Sequence, residues 1–170
     1  KGNFNMKAYP TNPVEYIKRW HMSDIFRYIQ THPDMDHMDG LKNLANSKLI
    51  INFWDTTNTK EQSFDEYGNC GRYKKEDWDC YQRLRKSEYN PKSLTFYDGT
   101  TAKYFAEDDN GALSDDYLKI LSPTKELIKA AEAAGDWNDS SYVILYCIQG
   151  RKLLFCGDAG MGTINHLLEH

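Results

Sequence analysis

The residues whose chemistry stands out lie in one short run, residues 31–40, which reads THPDMDHMDG and is called the metal loop below. Three carboxylates and two imidazoles lie within eight residues of it, and they repel one another or lose solvation without a positive charge among them. A divalent cation supplies that charge, and imidazole with carboxylate suits zinc, iron or manganese. The run therefore predicts a metal site with these candidate ligands: His32, Asp34, Asp36 and His37. A solvated acidic loop is the alternative, which two histidines at this spacing disfavour.

The metal loop falls between a predicted strand and a predicted helix. Residues 25–29 form an apolar run rich in β-branched and aromatic side chains, which is typical of a strand. Pro33 prevents a helix from running through the loop. A helix is predicted to begin near Asp39, because Leu41 and Leu44 lie three residues apart. The candidate ligands therefore lie on a loop at the end of a strand.

Helices and strands alternate along the rest of the chain, which indicates an α/β class. Asn12 and Thr124 are predicted to cap helices that begin at Pro13 and Lys125, and the second of these helices ends before Gly135. Further strands are predicted at residues 48–54, 94–98, 117–121 and 141–148, with a hairpin partner for the last at 151–156. Loops are predicted at residues 1–12 and 107–111.

The metal loop resembles the signature loop of the metallo-β-lactamase superfamily, which reads His-x-His-x-Asp-His with a glycine three residues later. Asp34 stands where that pattern has its second histidine. The variant is similar to the branch that contains the hydrolase domain of DNA-uptake competence proteins, in which Ser/Thr-His-Pro-Asp-x-Asp-His-x-x-Gly is a familiar form. The resemblance spans residues 12–158 and implies an α/β, metallo-β-lactamase-like αββα sandwich. One partial domain over residues 1–170 is expected, with an insertion at residues 60–92.

The resemblance also implies a role for each candidate ligand. His32 and Asp34 would serve a first metal, and Asp36 and His37 a second. Asp158 follows the second hairpin strand and matches the aspartate that bridges two metals in the family. Asp36 is the expected catalytic residue. The cofactors expected are one or two divalent metal ions, zinc or manganese.

The chain departs from the family pattern in ways that predict an incomplete site. The turn before the hairpin supplies a third histidine in most of the superfamily, and here it offers Asn138 or Asp139 as a weaker oxygen ligand, or water. The late histidine of the family has no clear counterpart, because His166 and His170 follow Asp158 too closely. The family's opening strands are missing as well. The chain is therefore expected to be incomplete at both ends and not competent alone, with missing segments or a partner chain completing its site.

The metal chemistry predicts a hydrolase. Metal ions lower the pKa of a bound water toward neutrality and stabilise negative charge on a phosphoryl oxygen. An aspartate in place of a histidine makes the site harder and more negative, which favours manganese over zinc and phosphodiesters over β-lactams. The expected function is a metal-dependent phosphodiesterase or nuclease that acts on nucleotides or nucleic acid. A non-catalytic binding or assembly module with a degraded or incomplete site is the alternative.

The segment 60–92 is longer than a plain connection and contains a predicted helix at 74–86. The lysines and arginines of this helix favour an ordinary solvent-exposed helix face. The alternative is that the helix forms a lid whose cations bind an anionic substrate. We expect the segment to lie over or beside the metal loop, with Arg83 and Arg85 exposed. The aromatic residues expected to stack on substrate are Trp78, Tyr81 and Tyr89.

Composition sets the outer limits of these predictions. The chain has 170 residues and a net charge of −4, so its composition does not predict a generally basic surface that would bind nucleic acid. It contains no apolar run of membrane-spanning length and no visible signal peptide. The four cysteines are scattered, and Cys147 and Cys156 are expected to be buried thiols in apolar runs. A reducing cytoplasm is the expected location.

Overall fold

The structure is a computed structural model that describes residues 12–107, 112 and 114–169. Residues 1–11 of the loop predicted at 1–12, residues 108–111 of the loop predicted at 107–111, and His170 lie outside the described residues. The helices are α1 (Pro13–Arg19), α2 (Leu41–Ser47), α3 (Lys75–Arg85), α4 (Lys125–Ala134) and α5 (Met161–Glu169). The strands are β1 (Ile25–Ile29), β2 (Ile50–Trp54), β3 (Asn69–Cys70), β4 (Tyr73–Lys74), β5 (Lys92–Leu94), β6 (Tyr117–Ser122), β7 (Val143–Ile148) and β8 (Arg151–Phe155). The predicted α/β class is confirmed.

The first sheet is parallel, with strand order β1-β2-β5 and β2 at its centre. Because successive side chains of a strand point to opposite faces, Phe53 and Trp54 of β2 enter different cores. Phe53 packs with α2 and α3 and stacks on Tyr28, with ring centroids 5.3 Å apart. Trp54 packs on the opposite face, against side chains of the second sheet.

The second sheet is antiparallel, with strand order β6-β7-β8. Leu118 and Ile120 of β6 join Tyr142 and Ile144 around Trp54 in the core between the sheets. The parallel sheet thus lies between a layer of helices and the antiparallel sheet. The short hairpin β3–β4 leads directly into α3. None of the helices described has the length and apolar character needed to cross a lipid bilayer.

Both predicted helix caps are confirmed. Asn12 accepts a hydrogen bond from the backbone N–H of Val14 at 2.9 Å, and Thr124 accepts one from Leu127 at 3.1 Å. Each cap satisfies a donor that the first turn of a helix leaves unpaired. Helix α4 ends at Gly135, which adopts the left-handed conformation with φ of 66°.

The strand predicted at 94–98 is wrong over most of its length, because β5 ends at Leu94. The backbone N–H of Phe96 donates to the Tyr142 hydroxyl at 2.9 Å, so it has no strand partner there. The burial predicted for Cys156 is also wrong, whereas Cys147 is buried. Cys156 follows β8, which within the described part of the chain pairs with β7 alone and is exposed along its whole length.

A buried ion pair fixes α3 to the loop that follows β2. Arg85 Nε lies 2.9 Å from Asp55 Oδ2, and only 14% of the Arg85 side chain is exposed. Tyr81 donates its hydroxyl proton to the other Asp55 oxygen at 2.8 Å. Burial raises the pKa of Asp55 to about 6, and Arg85 opposes that shift. The predicted exposure of Arg85 is therefore wrong, whereas Arg83 is exposed as predicted.

Removing the Arg85 side chain leaves a buried carboxylate without its cation. We expect Arg85→Ala to lower the free energy of unfolding by about 3–5 kcal/mol. Arg83→Ala is the matched control, since it removes an exposed guanidinium from the same helix, and its effect is expected to stay within about 0.5 kcal/mol. Urea unfolding followed by circular dichroism measures both. Equal losses in the two variants would contradict a structural role for the Arg85–Asp55 pair.

Candidate metal centre

The metal loop is folded back on itself by a buried glutamine at the end of β1. The side-chain amide of Gln30 donates to the carbonyl oxygen of His32 at 2.8 Å and to that of His37 at 3.3 Å. Between the two histidines, Met35 begins a single 3-10 turn and points into the core with Met38. These contacts bring the two imidazole rings together, with centroids 4.2 Å apart.

Three sequence-predicted ligands converge at this turn. His32, His37 and Asp158 each offer a ligand atom, and these atoms lie within 4.8 Å of one another. His37 Nε2 is 3.1 Å from Asp158 Oδ1. The site therefore joins a loop of the parallel sheet to the end of the hairpin in the antiparallel sheet.

The backbone conformation of Gly157 places Asp158 in the site. Gly157 adopts φ of +55°, and a Cβ there would lie 3.0 Å from the side chain of Ser141 and 3.1 Å from Thr31 Cβ. The backbone N–H of Asp158 then donates to Ser141 Oγ at 3.3 Å. The neighbouring Tyr142 N–H donates to the Thr31 carbonyl at 2.9 Å, which ties β7 to the metal loop.

His32 is the buried member of the group. Its side chain is fully shielded from solvent, and its Nε2 has no hydrogen-bond partner among the described residues. Burial lowers the pKa of His32, and the neighbouring His37 acts in the same direction, while the nearby carboxylates oppose them. The imidazole is therefore neutral near pH 7, as a metal ligand must be. Thr31 Oγ1 lies 3.2 Å from His32 Nδ1. When Nδ1–H donates a hydrogen bond to this oxygen, the free lone pair of the imidazole is on Nε2 and can bind a metal ion.

Asp34 and Asp36 lie beside this group and are not members of it. Asp34 Oδ1 is 2.5 Å from the ammonium nitrogen of Lys60, and Oδ2 is 3.8 Å from His32 Nε2. Asp36 Oδ2 is 3.6 Å from His37 Nε2, and about half of its side chain is exposed. Asp34 thus pairs with a cation of the chain itself.

The weaker ligand proposed in the turn before the hairpin is corrected by the structure. Both carboxylate oxygens of Asp139 accept backbone hydrogen bonds from the first turn of α5, from Gly162 at 3.1 Å and Thr163 at 2.8 Å. The carboxylate therefore caps a helix. His166 of α5 pairs with Asp98, with Nε2 2.9 Å from the carboxylate.

The segment 60–92 lies beside the metal loop. Asp77 of α3 accepts hydrogen bonds from the backbone N–H groups of Gly40 at 3.2 Å and Lys42 at 2.8 Å, at the start of α2. The stacking role predicted for Trp78 and Tyr81 is wrong, because both rings are buried in the core with α2. The spacing of three residues between Trp78 and Tyr81 places both on the helix face that packs into the core.

Sequence reasoning missed Gln30, Thr31 and Lys60 as residues of the site. The first two are polar residues that end an apolar strand directly before His32, and that position was a usable signal. Lys60 lies 26 residues after its partner Asp34 in an irregular loop, and nothing in its local sequence marks it.

In comparisons with known proteins, no family model, curated protein or solved structure matches this chain. The description of the candidate metal centre therefore depends on the geometry of its own residues.

The close approach at Gly157 gives a test of how Asp158 is positioned. A side chain in the left-handed region costs about 1–2 kcal/mol, so Gly157→Ala is expected to lower the free energy of unfolding by that amount. The added Cβ also presses on Ser141 and Thr31, so we expect weaker Mn²⁺ binding by isothermal titration calorimetry. Gly150→Ala is the matched control, because Gly150 has φ of +72° and nothing within 4 Å of an added Cβ. Equal Mn²⁺ affinity in the two variants would contradict this positioning role.

The capping role of Asp139 predicts a loss of stability without a loss of metal. Asp139→Ala is expected to lower the free energy of unfolding by about 0.5–2 kcal/mol, as for other helix caps. Asp139→Asn keeps one oxygen acceptor and should recover part of that loss. Metal content by elemental analysis is expected to be unchanged in both. Metal loss in Asp139→Asn at unchanged stability would instead make Asp139 a ligand.

Proposed function

We propose that the chain is a metal-dependent hydrolase with a metallo-β-lactamase-like site, and that its substrates are phosphodiesters of nucleotides or nucleic acid. One observation carries the proposal: His32, His37 and Asp158 each offer a ligand atom within 4.8 Å of the others, and the buried His32 Nε2 has no hydrogen-bond partner among the described residues. Burying a polar nitrogen without a partner is unfavourable, and coordination to a cation removes that penalty.

The donor set fits a transition metal. Two imidazoles and a carboxylate suit zinc or manganese, and three protein ligands leave a position for water. A bound divalent ion supplies a water of lowered pKa and a charge that stabilises developing negative charge on phosphoryl oxygens.

Around that donor set, the chain's own residues have separate tasks. Gln30 holds the backbone of both histidines through their carbonyl oxygens, and Thr31 orients the His32 imidazole through its contact with Nδ1. Asp36 Oδ2 lies 3.6 Å from His37 Nε2, and about half of the Asp36 side chain is exposed, so its carboxylate would be placed to accept a proton from an attacking water. We therefore assign Asp36 the role of general base.

An open cleft of about 670 Å³ supports an extended polar substrate. Its lining includes Lys60, whose ammonium touches Asp34, together with Lys86, the carboxylate of Glu61 and several amide side chains. Arg85 also lines the cleft, but its guanidinium is held by Asp55 and by the backbone after β2. Binding along this cleft would place a phosphodiester beside the metal loop.

A non-catalytic binding or assembly module is the second candidate. The observation that favours it is the Asp34–Lys60 pair, which neutralises a carboxylate that the sequence predicts as a metal ligand and leaves a group of three ligands without it. Such a module would hold a metal ion for structure and would show no turnover.

Metal content and hydrolysis, measured together, test the proposal. We expect the purified chain to bind Mn²⁺ or Zn²⁺, and we expect hydrolysis of bis(para-nitrophenyl) phosphate from a form extended at both ends. A chelator should abolish that turnover until Mn²⁺ is restored. His32→Ala and Asp158→Ala should lose both metal and turnover. Asp36→Asn should lose turnover and keep metal, because Asp36 lies outside the three-ligand group.

The control is His21→Asn, which changes an exposed histidine outside the three-ligand group and introduces a side chain that tolerates the positive φ of 50° at this position. It should leave metal content and turnover unchanged. Metal binding without turnover would favour the module, and a chain that binds no divalent metal would refute both candidates.

A further inference from the structure

We infer that the ammonium group of Lys60 takes the place of a second metal ion, so that the centre binds a single divalent cation. This inference rests on the metal site of the proposed function. It extends that proposal by naming the residue that sets how many ions the site accepts.

The Lys60–Asp34 pair is partly buried and its two groups are in direct contact. The two groups lie 2.5 Å apart, and the exposed fractions of the two side chains are 17% for Lys60 and 32% for Asp34. Shielding from water strengthens the pair relative to one on the open surface. The second Asp34 oxygen lies 3.8 Å from His32 Nε2, so the ammonium sits at the border of the ligand group.

A buried network fixes the backbone that carries Lys60. The Lys60 N–H donates to Asn58 Oδ1 at 3.2 Å, and Arg85 donates to the same oxygen at 3.2 Å. The Asn58 amide in turn donates to the hydroxyl oxygen of Tyr81 at 3.0 Å. Asn58 and Tyr81 are both buried, so the start of the Lys60 side chain is held in place. The ammonium is therefore preorganised against Asp34 by the core of the protein.

The charges of the centre balance with one divalent ion. Asp34, Asp36 and Asp158 contribute minus three, and Lys60 contributes plus one, which leaves minus two. One divalent cation at the three-ligand group neutralises that remainder. A second divalent cation would leave an excess of plus two with Lys60 in place, or of plus one after displacing an ammonium that is already tethered to the chain.

Metal stoichiometry tests the inference directly. We would titrate the chain with Mn²⁺ alone, using isothermal titration calorimetry and elemental analysis after desalting. The wild-type chain is expected to bind one Mn²⁺. Lys60→Met keeps the length of the side chain without its charge, and it is expected to bind two. Lys60→Arg retains a cation and is expected to bind one.

Lys42→Met is the matched control. Its ammonium pairs with Glu76 at 2.5 Å on an exposed surface, outside the ligand group, so one Mn²⁺ per chain is expected. A double variant, Lys60→Met with Asp34→Asn, removes the carboxylate that the second ion would need and should return to one Mn²⁺.

The outcomes separate the two proposals. Two Mn²⁺ ions in the wild-type chain would overturn the inference and leave the proposed function standing. One Mn²⁺ in folded Lys60→Met, as in wild type, would also overturn it. No Mn²⁺ in the wild-type chain would overturn the proposed metal site itself. If Lys60→Met does not fold, Lys60→Gln provides the same comparison with a neutral polar side chain.

Discussion

The burial of His32 is the constraint on which the rest of the site depends. An imidazole nitrogen that is buried without a partner costs about 1–3 kcal/mol, so the fold must hold it there by other contacts. The Gln30 side chain holds the loop through hydrogen bonds to two of its carbonyl oxygens, and Met35 and Met38 pack their side chains into the adjacent core. A cation bound at Nε2 would recover the lost interaction. Under the proposed function, metal binding at this residue would therefore be coupled to folding.

The two sheets must keep their relative position for the centre to exist. His32 and His37 come from a loop of the parallel sheet, whereas Asp158 comes from the end of a hairpin in the other sheet. The hydrogen bond from the Tyr142 N–H to the Thr31 carbonyl joins the sheets directly beside the ligands. Trp54 fills the core between them and contacts side chains from both layers. Packing of the sheet interface thus sets the distance between ligands.

Local signals predicted the parts of the fold that local interactions determine. The caps at Asn12 and Thr124 lie where they were predicted, because each needs only its own side chain and the next turn of the helix. The residues of the metal loop were recognisable for the same reason, since their chemistry is concentrated in one short run. The bounds of β5 were predicted poorly, because a hydroxyl from a distant residue, Tyr142, replaces the strand partner of Phe96.

Long-range pairings were not predictable from the sequence. Arg85 has the spacing of an exposed helix cation, and only the fold shows that Asp55 lies against it. Asp139 lies in a turn rich in polar residues, where a ligand and a helix cap have the same sequence signature. Lys60 contacts Asp34 only because the chain between them folds back, which no local pattern predicts. In each case a charged side chain found a partner more than twenty residues away.

These pairings change the interpretation of the segment 60–92. Helix α3 directs its aromatic side chains into the core, and its Asp77 carboxylate supplies acceptors for the first backbone N–H groups of α2. A lid that opens and closes would have to break these buried contacts. The segment is better described as a support for the metal loop, because it fixes both the helix that follows the loop and the lysine that balances its charge. In the proposed function, its contribution to substrate binding would come from the position of Lys60 and from the polar cleft beside it.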